Sequence, residues 1–585
     1  MADPEVELPQ DPSEDMNSQS NPEIIREELA RQPKDDSSSS LAQEGTIGPA
    51  DEIVWHYLTF ETELPSLAYL SQLPSSQRDE NRSPPPECPN LKKYGSPFLW
   101  PEKSKSIIMY LSCIATAFTA YNAGAYSSGL DQMTEEWHIS RVAGLVGITT
   151  FTCGFGVAPM FLAPFSEING RRPVFVVTGL LWVVFQIVCA VTPTFAGELV
   201  ARFLAGCMSS TFSTMVGGVV SDIYHAKERN AAMALFSGSA MFGTGFGPLI
   251  SGFLAMHTTW RWIFYLQVIV DGVIMIFVFF FFKETRGSVL LSRKAKALNQ
   301  YYDRLEGAGY YGHMMRTDAE KHTSTPTTTT TTPQRIRWKC KSDEERSSLL
   351  TMIRISLYRP FHMLLTEPVV FVFSLWISFS WAVLYMTFSA IPLIYETTYA
   401  FDLAQTGCVF AAISIASLLF IPVSIYQDKL ALAYLGPKQR HILTTPEGRL
   451  YFACLESALL PLGCIWFCVA GAYPDVPWIV PTLGIACATM GVFSVYLAVF
   501  NYLADAYHRY ASSALAAQSF CRNLLAGAFP LFTTPMFTTL TFQGAGGFLG
   551  GMGFLLTTVP WVLLLFGPQI RAKSKLASEI MEKVV

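Results

Sequence analysis

Apolar residues along this chain come in long blocks, not in the alternation of a half-buried strand or the narrow stripe of a soluble helix. A helix needs about 20 mainly apolar residues to cross the hydrocarbon core of a bilayer. Twelve stretches meet that length, near 106–128, 142–163, 173–193, 196–221, 231–254, 262–282, 368–391, 406–426, 450–471, 477–501, 512–537 and 546–567. The third and fourth are split only around Pro193 and also read as one long broken run. The pattern predicts an all-α membrane protein with two six-helix halves, 101–283 and 367–568. They are joined by a middle loop over 284–366 and flanked by tails over 1–100 and 569–585. The first tail is polar, acidic and Pro/Ser-rich, too poor in apolar side chains for a core, and is expected to be disordered. Its opening, MADPEVELPQDPSED, lacks the basic and apolar regions of a signal peptide, so the first span is expected to serve as signal and anchor together. The middle loop contains the low-complexity tract STPTTTTTTP (324–333), also expected to be disordered.

Lys and Arg set the orientation, because they gather in loops on the cytoplasmic side. Arg171 and Arg172 follow span two, and Lys227 and Arg229 follow span four. Lys429, Lys438, Arg440 and Arg449 follow span eight, and the loop 283–367 holds 15 basic residues. The alternate loops are nearly bare. Both termini are therefore expected in the cytoplasm, as an even number of spans requires.

Composition changes the picture little. Of 585 residues 50% are apolar and 15% charged, against about 25% charged in soluble proteins. Mean hydropathy is +0.30. A net charge of −5 offers nucleic acid no basic surface. Most of the 12 cysteines lie inside apolar blocks and none forms a C-x-x-C pair, so neither a disulfide framework nor a metal site is expected. There is no Gly-x-x-x-x-Gly-Lys-Ser/Thr loop for an ATP-driven pump and no hydrolytic triad, so neither an enzyme nor a cofactor is expected.

Candidate chemistry lies at helix ends and inside spans. After span two the chain reads Ala163-Pro-Phe-Ser-Glu167-Ile-Asn-Gly170-Arg171-Arg172, and after span eight Ser424-Ile-Tyr-Gln-Asp428-Lys429. Each copy sets an acid before a base at a cytoplasmic helix end. Gly170 lets the chain reverse, and the acids can latch one conformation; the basic pair serves equally to hold the loop inside. Charges inside spans are costly and point to function. Arg202, Asp271, Glu456 and Arg522 are such charges, with Asp505 at the end of span ten. Asp271 and Glu456 are candidate proton carriers, although Asp271 equally reads as a lipid-facing or locally paired acid. Asp505 and Arg522 are read as a bracing pair. Tyr121, Asn122, Trp381, Tyr385, Gln518 and Asn523 are candidate cavity residues, and helix packing explains each equally well. Span five carries Gly243, Gly247, Pro248 and Gly252, a density of small residues and proline that allows close helix approach and a bend.

The first loop resembles the signature Gly-x-x-x-Asp-Arg-x-Gly-Arg-Arg of the major facilitator superfamily, with Ala163, Glu167 and Ile168 at the first Gly, the Asp and the first basic position. Gly243-Thr-Gly-Phe-Gly247-Pro248-Leu-Ile-Ser251-Gly252 resembles its antiporter motif Gly-Pro-x-x-Gly-Gly. Arg202 in Arg-Phe-Leu-Ala-Gly206 resembles its span-four motif, whose buried Arg is associated with proton coupling. Over about residues 95–585 the chain resembles fungal twelve-span drug–proton antiporters of the polyamine-exporter group, through SEINGRRPVF (166–175), TTWRWIFY (258–265), FHMLLTEPVV (361–370) and NYLADAYHRYASSALAAQSFCRNLLAGAFPLF (501–532). The resemblance implies the major facilitator fold and a monomeric, proton-coupled exporter of a small molecule in the plasma membrane. Polyamine exporters carry a Glu shortly before the Pro step of span seven, where this chain has Ser389 before Ile391-Pro392. A polycation needs carboxylates in a dry site, so the resemblance points instead to a secondary metabolite or toxin, such as a small acid of the fusaric-acid kind. Export of polyamines or many drugs, import of a nutrient through the same fold, and a receptor without transport are the alternatives.

Overall fold

In a computed structural model the chain is described over residues 52–62, 64–65, 86–225, 228–308, 310, 313–316, 331–344, 349–434, 445–507 and 510–573. Eleven apolar helical elements among them are long enough to cross a membrane. The first six are span one (Glu102–Trp137), two (Arg141–Asn169), three (Arg171–Val191), four (Phe195–Ile223), five (Arg229–His257) and six (Arg261–Phe281). The next four are span seven (Pro368–Tyr399), eight (Leu403–Gln427), nine (Glu447–Ala470) and ten (Ile479–Tyr507). The last element, Ala511–Lys573, has 63 residues. At 1.5 Å per residue that is about 95 Å, three times the hydrocarbon core. It breaks at Thr541, whose φ of 65° and ψ of 167° leave the helix. Spans eleven and twelve are its two arms, and the expected connection between them shrinks to this one non-helical residue.

Spans alternate in direction, so the ends that carry the chain termini and the middle segment share one face, here the terminal face. The halves meet along two seams, span five against span eight and span two against span eleven. Their outer surfaces stay apolar and exposed: Val177, Leu180 and Val184 on span three, and Val273, Ile276 and Phe280 on span six. Polar side chains turn inward, among them Asn122, Gln186, Glu198, Arg202, Gln518 and Arg522. This is the arrangement a lipid solvent favours, with backbone satisfied inside each helix and polar groups kept from hydrocarbon.

Parts of the middle segment and of the first tail form regular structure. Strand β1 (Val54–Tyr57) pairs in parallel with β4 (Ile336–Lys339). Strands β2 (His313–Arg316) and β3 (Thr331–Gln334) form an antiparallel pair between them in sequence. Helix α1 (Gly287–Gly307) supports β4. Leu58, Leu298, Tyr302, Leu305, Ile336 and Trp338 form a small core. Asn299 Nδ2 donates to the Trp338 carbonyl and its Oδ1 accepts from Trp338 N, each at 2.8 Å. Arg335 and Arg337 both reach Glu306, at 2.8 and 2.9 Å. Burial pushes the Glu306 carboxyl up, but the two guanidiniums outweigh it and hold it at about 2. A polar tail cannot bury a core of its own, yet Leu58, just past β1, is buried where α1 and β4 supply the other side. The remainder of the tail up to residue 51 and the tract over 324–330 lie outside the described residues. A second helix, α2 (Leu349–Thr366), leads into span seven.

Candidate transport site

Gly170 reverses the chain between spans two and three with φ 101° and ψ 158°, backbone open to glycine. The turn exposes the first amides of span three. Glu284, just past span six, accepts from Arg171 N at 2.8 Å and Arg172 N at 3.3 Å. The Arg171 side chain pairs with Asp222 at 3.2 Å and donates to Ser166 Oγ at 2.7 Å. Arg286 reaches the other Asp222 oxygen at 3.3 Å. Arg172 donates to the Phe279 carbonyl at 3.0 Å. The acids that hold this turn are Asp222 and Glu284, not the expected Glu167. Glu167 is half-buried and takes no part in these pairs. The helix reverses at Gly170, which sends the Arg171 side chain across to the end of span four. Asp428 follows span eight in the same helix, and its side chain is outside the described residues.

In the first half, Arg202 is fully buried. It donates to Asn122 Oδ1 at 2.7 Å and to the Gly147 carbonyl at 3.3 Å. Its guanidinium lies 4.5 Å from the Tyr126 ring and 4.6 Å from the Phe151 ring. One terminal nitrogen has no partner. In the second half Arg522 repeats the theme. Its guanidinium lies 4.5 Å from Trp381 and 5.2 Å from Tyr496, rings that stack at 4.8 Å. Its Nε and Nη1 are unpaired. Tyr385 lies within electrostatic reach of both arginines. The expected residues thus form two clusters, Asn122 with Arg202 in the first half and Trp381 with Arg522 in the second, with Tyr385 within electrostatic reach of both arginines. Tyr121, Ser389 and Gln518 are buried with side-chain polar atoms lacking partners. Asn523 departs: it donates to the Ser519 carbonyl at 2.8 Å and packs on Gly156 at the seam of spans two and eleven.

The expected pairing of Asp505 with Arg522 does not form. Asp505 pairs with Arg449 at 2.8 Å near the terminal face. Arg522 stands eleven residues into span eleven, about 16 Å deeper at 1.5 Å per residue. Glu456 lies deeper, bordering a pocket with Asn230, Gln427, Arg449 and Asn501, and accepts from Ser494 Oγ, at the middle of span ten, at 2.5 Å. Asp271 differs from both. It lies at the middle of span six, buried, and neither carboxylate oxygen has a hydrogen-bond partner. Tyr121 is within its electrostatic reach, and Gln267, one turn earlier, is equally unpaired.

Span five joins these parts. A Cβ on Gly243 would strike the Ala117 backbone, and one on Gly247 would stand 2.5 Å from the Tyr121 carbonyl, so both glycines seat span five on span one. Gly252 and Pro248 press on Leu403 and Gly407 of span eight. The pockets at the opposite and terminal ends of this seam measure about 20 and 30 Å³, where a drug-sized site takes about 300–1,000 Å³.

The sequence matches the Major Facilitator Superfamily over residues 112–530. The chain belongs to this superfamily. It is a membrane transporter and not an enzyme, as its motifs implied. The efflux pump FUBT of Fusarium oxysporum is 31% identical to it over 480 residues, which are 82% of this chain and 75% of that one. YHK8 of Saccharomyces cerevisiae, with drug/proton antiporter in its name, is 30% identical over 472 residues, 81% of this chain and 85% of that one. A solved POT family transporter in complex with 5-aminolevulinic acid superposes with a TM-score of 0.56 at 12% identity, covering 82% of this chain and 100% of that one. It shares the superfamily's fold.

Sequence reasoning missed three acids of this transporter. Asp222 and Glu284 lie just beyond apolar blocks, where a charge draws no attention. Glu198 falls in the first turn of span four, beside the break at Pro193, and its position four residues before Arg202 was the available signal.

Proposed function

We propose that this transporter is a proton-coupled exporter of a small organic compound, a secondary metabolite or toxin with an acidic group. It works by alternating access in the plasma membrane, as a monomer with both termini in the cytoplasm. Relatives named for efflux and for drug/proton antiport support the direction and the coupling. The basic loops of the terminal face support the orientation. The observation that carries the reading is Arg522 with two unpaired nitrogens, framed by Trp381 and Tyr496. A guanidinium with free donors binds a carboxylate, and aromatic walls suit a flat ring. Asp271 supplies the coupling. A buried carboxylate without a partner is costly while charged, so the carrier crosses its closed state with that group neutral, and proton entry drives the cycle.

The full-length protein in liposomes under an imposed pH gradient tests this, with protein-free liposomes as control. Uptake of fusaric acid, spermidine and ethidium is compared. Gradient-driven transport of fusaric acid alone is the expected result. Transport of spermidine or ethidium alone overturns the acidic substrate and favours the polyamine or multidrug reading, for which the buried acids Asp271 and Glu198 are the observation in favour. Transport indifferent to the gradient overturns the coupling.

A further inference from the structure

Glu198 has no place in the coupling scheme above, yet like Asp271 it is a fully buried acid of the first half. Span four starts at Phe195 on the face opposite the termini, with Thr194 capping Gly197 N. Glu198 follows in the first turn, has 0% exposure, and neither oxygen has a hydrogen-bond partner. An acid in a first turn normally gains from the helix dipole while remaining wet. That gain is far smaller than what burying an unpaired charge costs.

The groups around it explain why it is unpaired. Span three contributes Cys189, whose thiol is only a weak hydrogen-bond donor. The end of span one contributes Tyr126, whose hydroxyl already donates to the Gly144 carbonyl at 3.0 Å. Span six contributes Arg261, which is committed to Glu136 through two contacts of 2.8 Å. The remaining cation is Arg202, one turn along the same helix and held by Asn122 at 2.7 Å. Residues four apart on a helix are neighbours, so one long side chain serves either partner.

We propose that Glu198 is a proton-binding residue of the transport cycle and that Arg202 is the arm it controls. The proposal rests on the proton-coupled reading above and adds to it a second proton-binding residue beside Asp271. With a proton on Glu198, Arg202 stays on Asn122, as seen here, and covers a side chain of the substrate site. When the proton leaves, the bare carboxylate draws Arg202 back one turn and uncovers Asn122. Proton and substrate thus exclude one another, which is the order an exporter driven by proton entry requires. The proton is transferred intact between water on the face opposite the termini and the carboxyl oxygen, and no other bond changes.

The test uses the purified full-length protein in liposomes and two readouts. The first is the infrared band of protonated carboxyl groups, followed from acid to alkaline pH. Part of the wild-type band is expected to vanish in Glu198→Gln, to persist in Asp271→Asn and to persist, shifted, in Glu198→Asp. The second is the ratio of fusaric acid uptake with a pH gradient to uptake without one. Coupling between two sites is typically about 5- to 150-fold, and this ratio is expected to collapse towards one in Glu198→Gln and to recover in part in Glu198→Asp. A band unchanged in Glu198→Gln, or a ratio equal to wild type in that variant, overturns the proposal. A wild-type protein that ignores the gradient for every probe overturns the export reading instead, and the infrared band still decides whether Glu198 holds a proton.

Discussion

Replacing Gly170 by alanine tests the latch at its narrowest point. The backbone there has φ 101° and ψ 158°, a region essentially closed to other residues, and forcing alanine into it costs about 1–3 kcal/mol. The added methyl also points into the Glu284 carboxylate. To make room, Glu284 leaves the amides of Arg171 and Arg172, which it holds at 2.8 and 3.3 Å. A hydrogen bond to a charged group is worth about 1.5–3 kcal/mol, and the shorter contact alone is counted. Local opening at the start of span three should therefore become easier by about 2.5–6 kcal/mol, and the lower figure multiplies the open population about sixtyfold. Hydrogen exchange of peptides covering 170–178, in full-length protein held in nanodiscs, reads this directly. The decisive comparison is the same substitution in a Glu284→Ala background. There the methyl displaces nothing, and only the backbone cost of about 1–3 kcal/mol remains. Equal costs in the two backgrounds would refute the claim that Gly170 is glycine because Glu284 occupies its side-chain space. A cost below about 1 kcal/mol in the wild-type background would refute the backbone argument as well.

Two further outcomes follow from the pairings. Asp505 and Arg449 are each about a third exposed, so Asp505→Asn should cost no more than about 1 kcal/mol; thermal unfolding should show coupling between Asp505→Asn and Arg449→Gln and additivity between Asp505→Asn and Arg522→Gln. Glu306 is held at about 2 in the folded chain against an ordinary 4.5, so its contribution is fully present above that ordinary value and disappears as the pH falls towards the lower one; exchange of the β1 amides should accelerate over that acid range, and Glu306→Gln should remove the acceleration.

The membrane half of this architecture was legible because a bilayer imposes a length and a polarity that few other constraints share. Twelve apolar blocks became eleven helical elements, the last of them broken in two at Thr541. Arg202, Arg522 and Asp271 stood out in sequence because charge inside an apolar block is rare. Their partners did not, because pairing depends on depth and direction. Asp505 and Arg522 are 17 residues apart in the chain but end at different levels of the bundle, and Arg171 reaches Asp222 because Gly170 turns it there. The module of β1, β4 and α1 was invisible for another reason. Four residues carry no periodicity, and the surface they need is made elsewhere in the chain.

That last pairing has a consequence in time. Val54 finds its partner at Ile336, and a ribosome adding about 5–20 residues per second needs roughly 15–60 s to make the intervening chain. Six apolar helices are made in that interval. Leu58, made early, thus waits through the building of half the molecule before its seat exists, and an early strand is one of the later pieces to be placed.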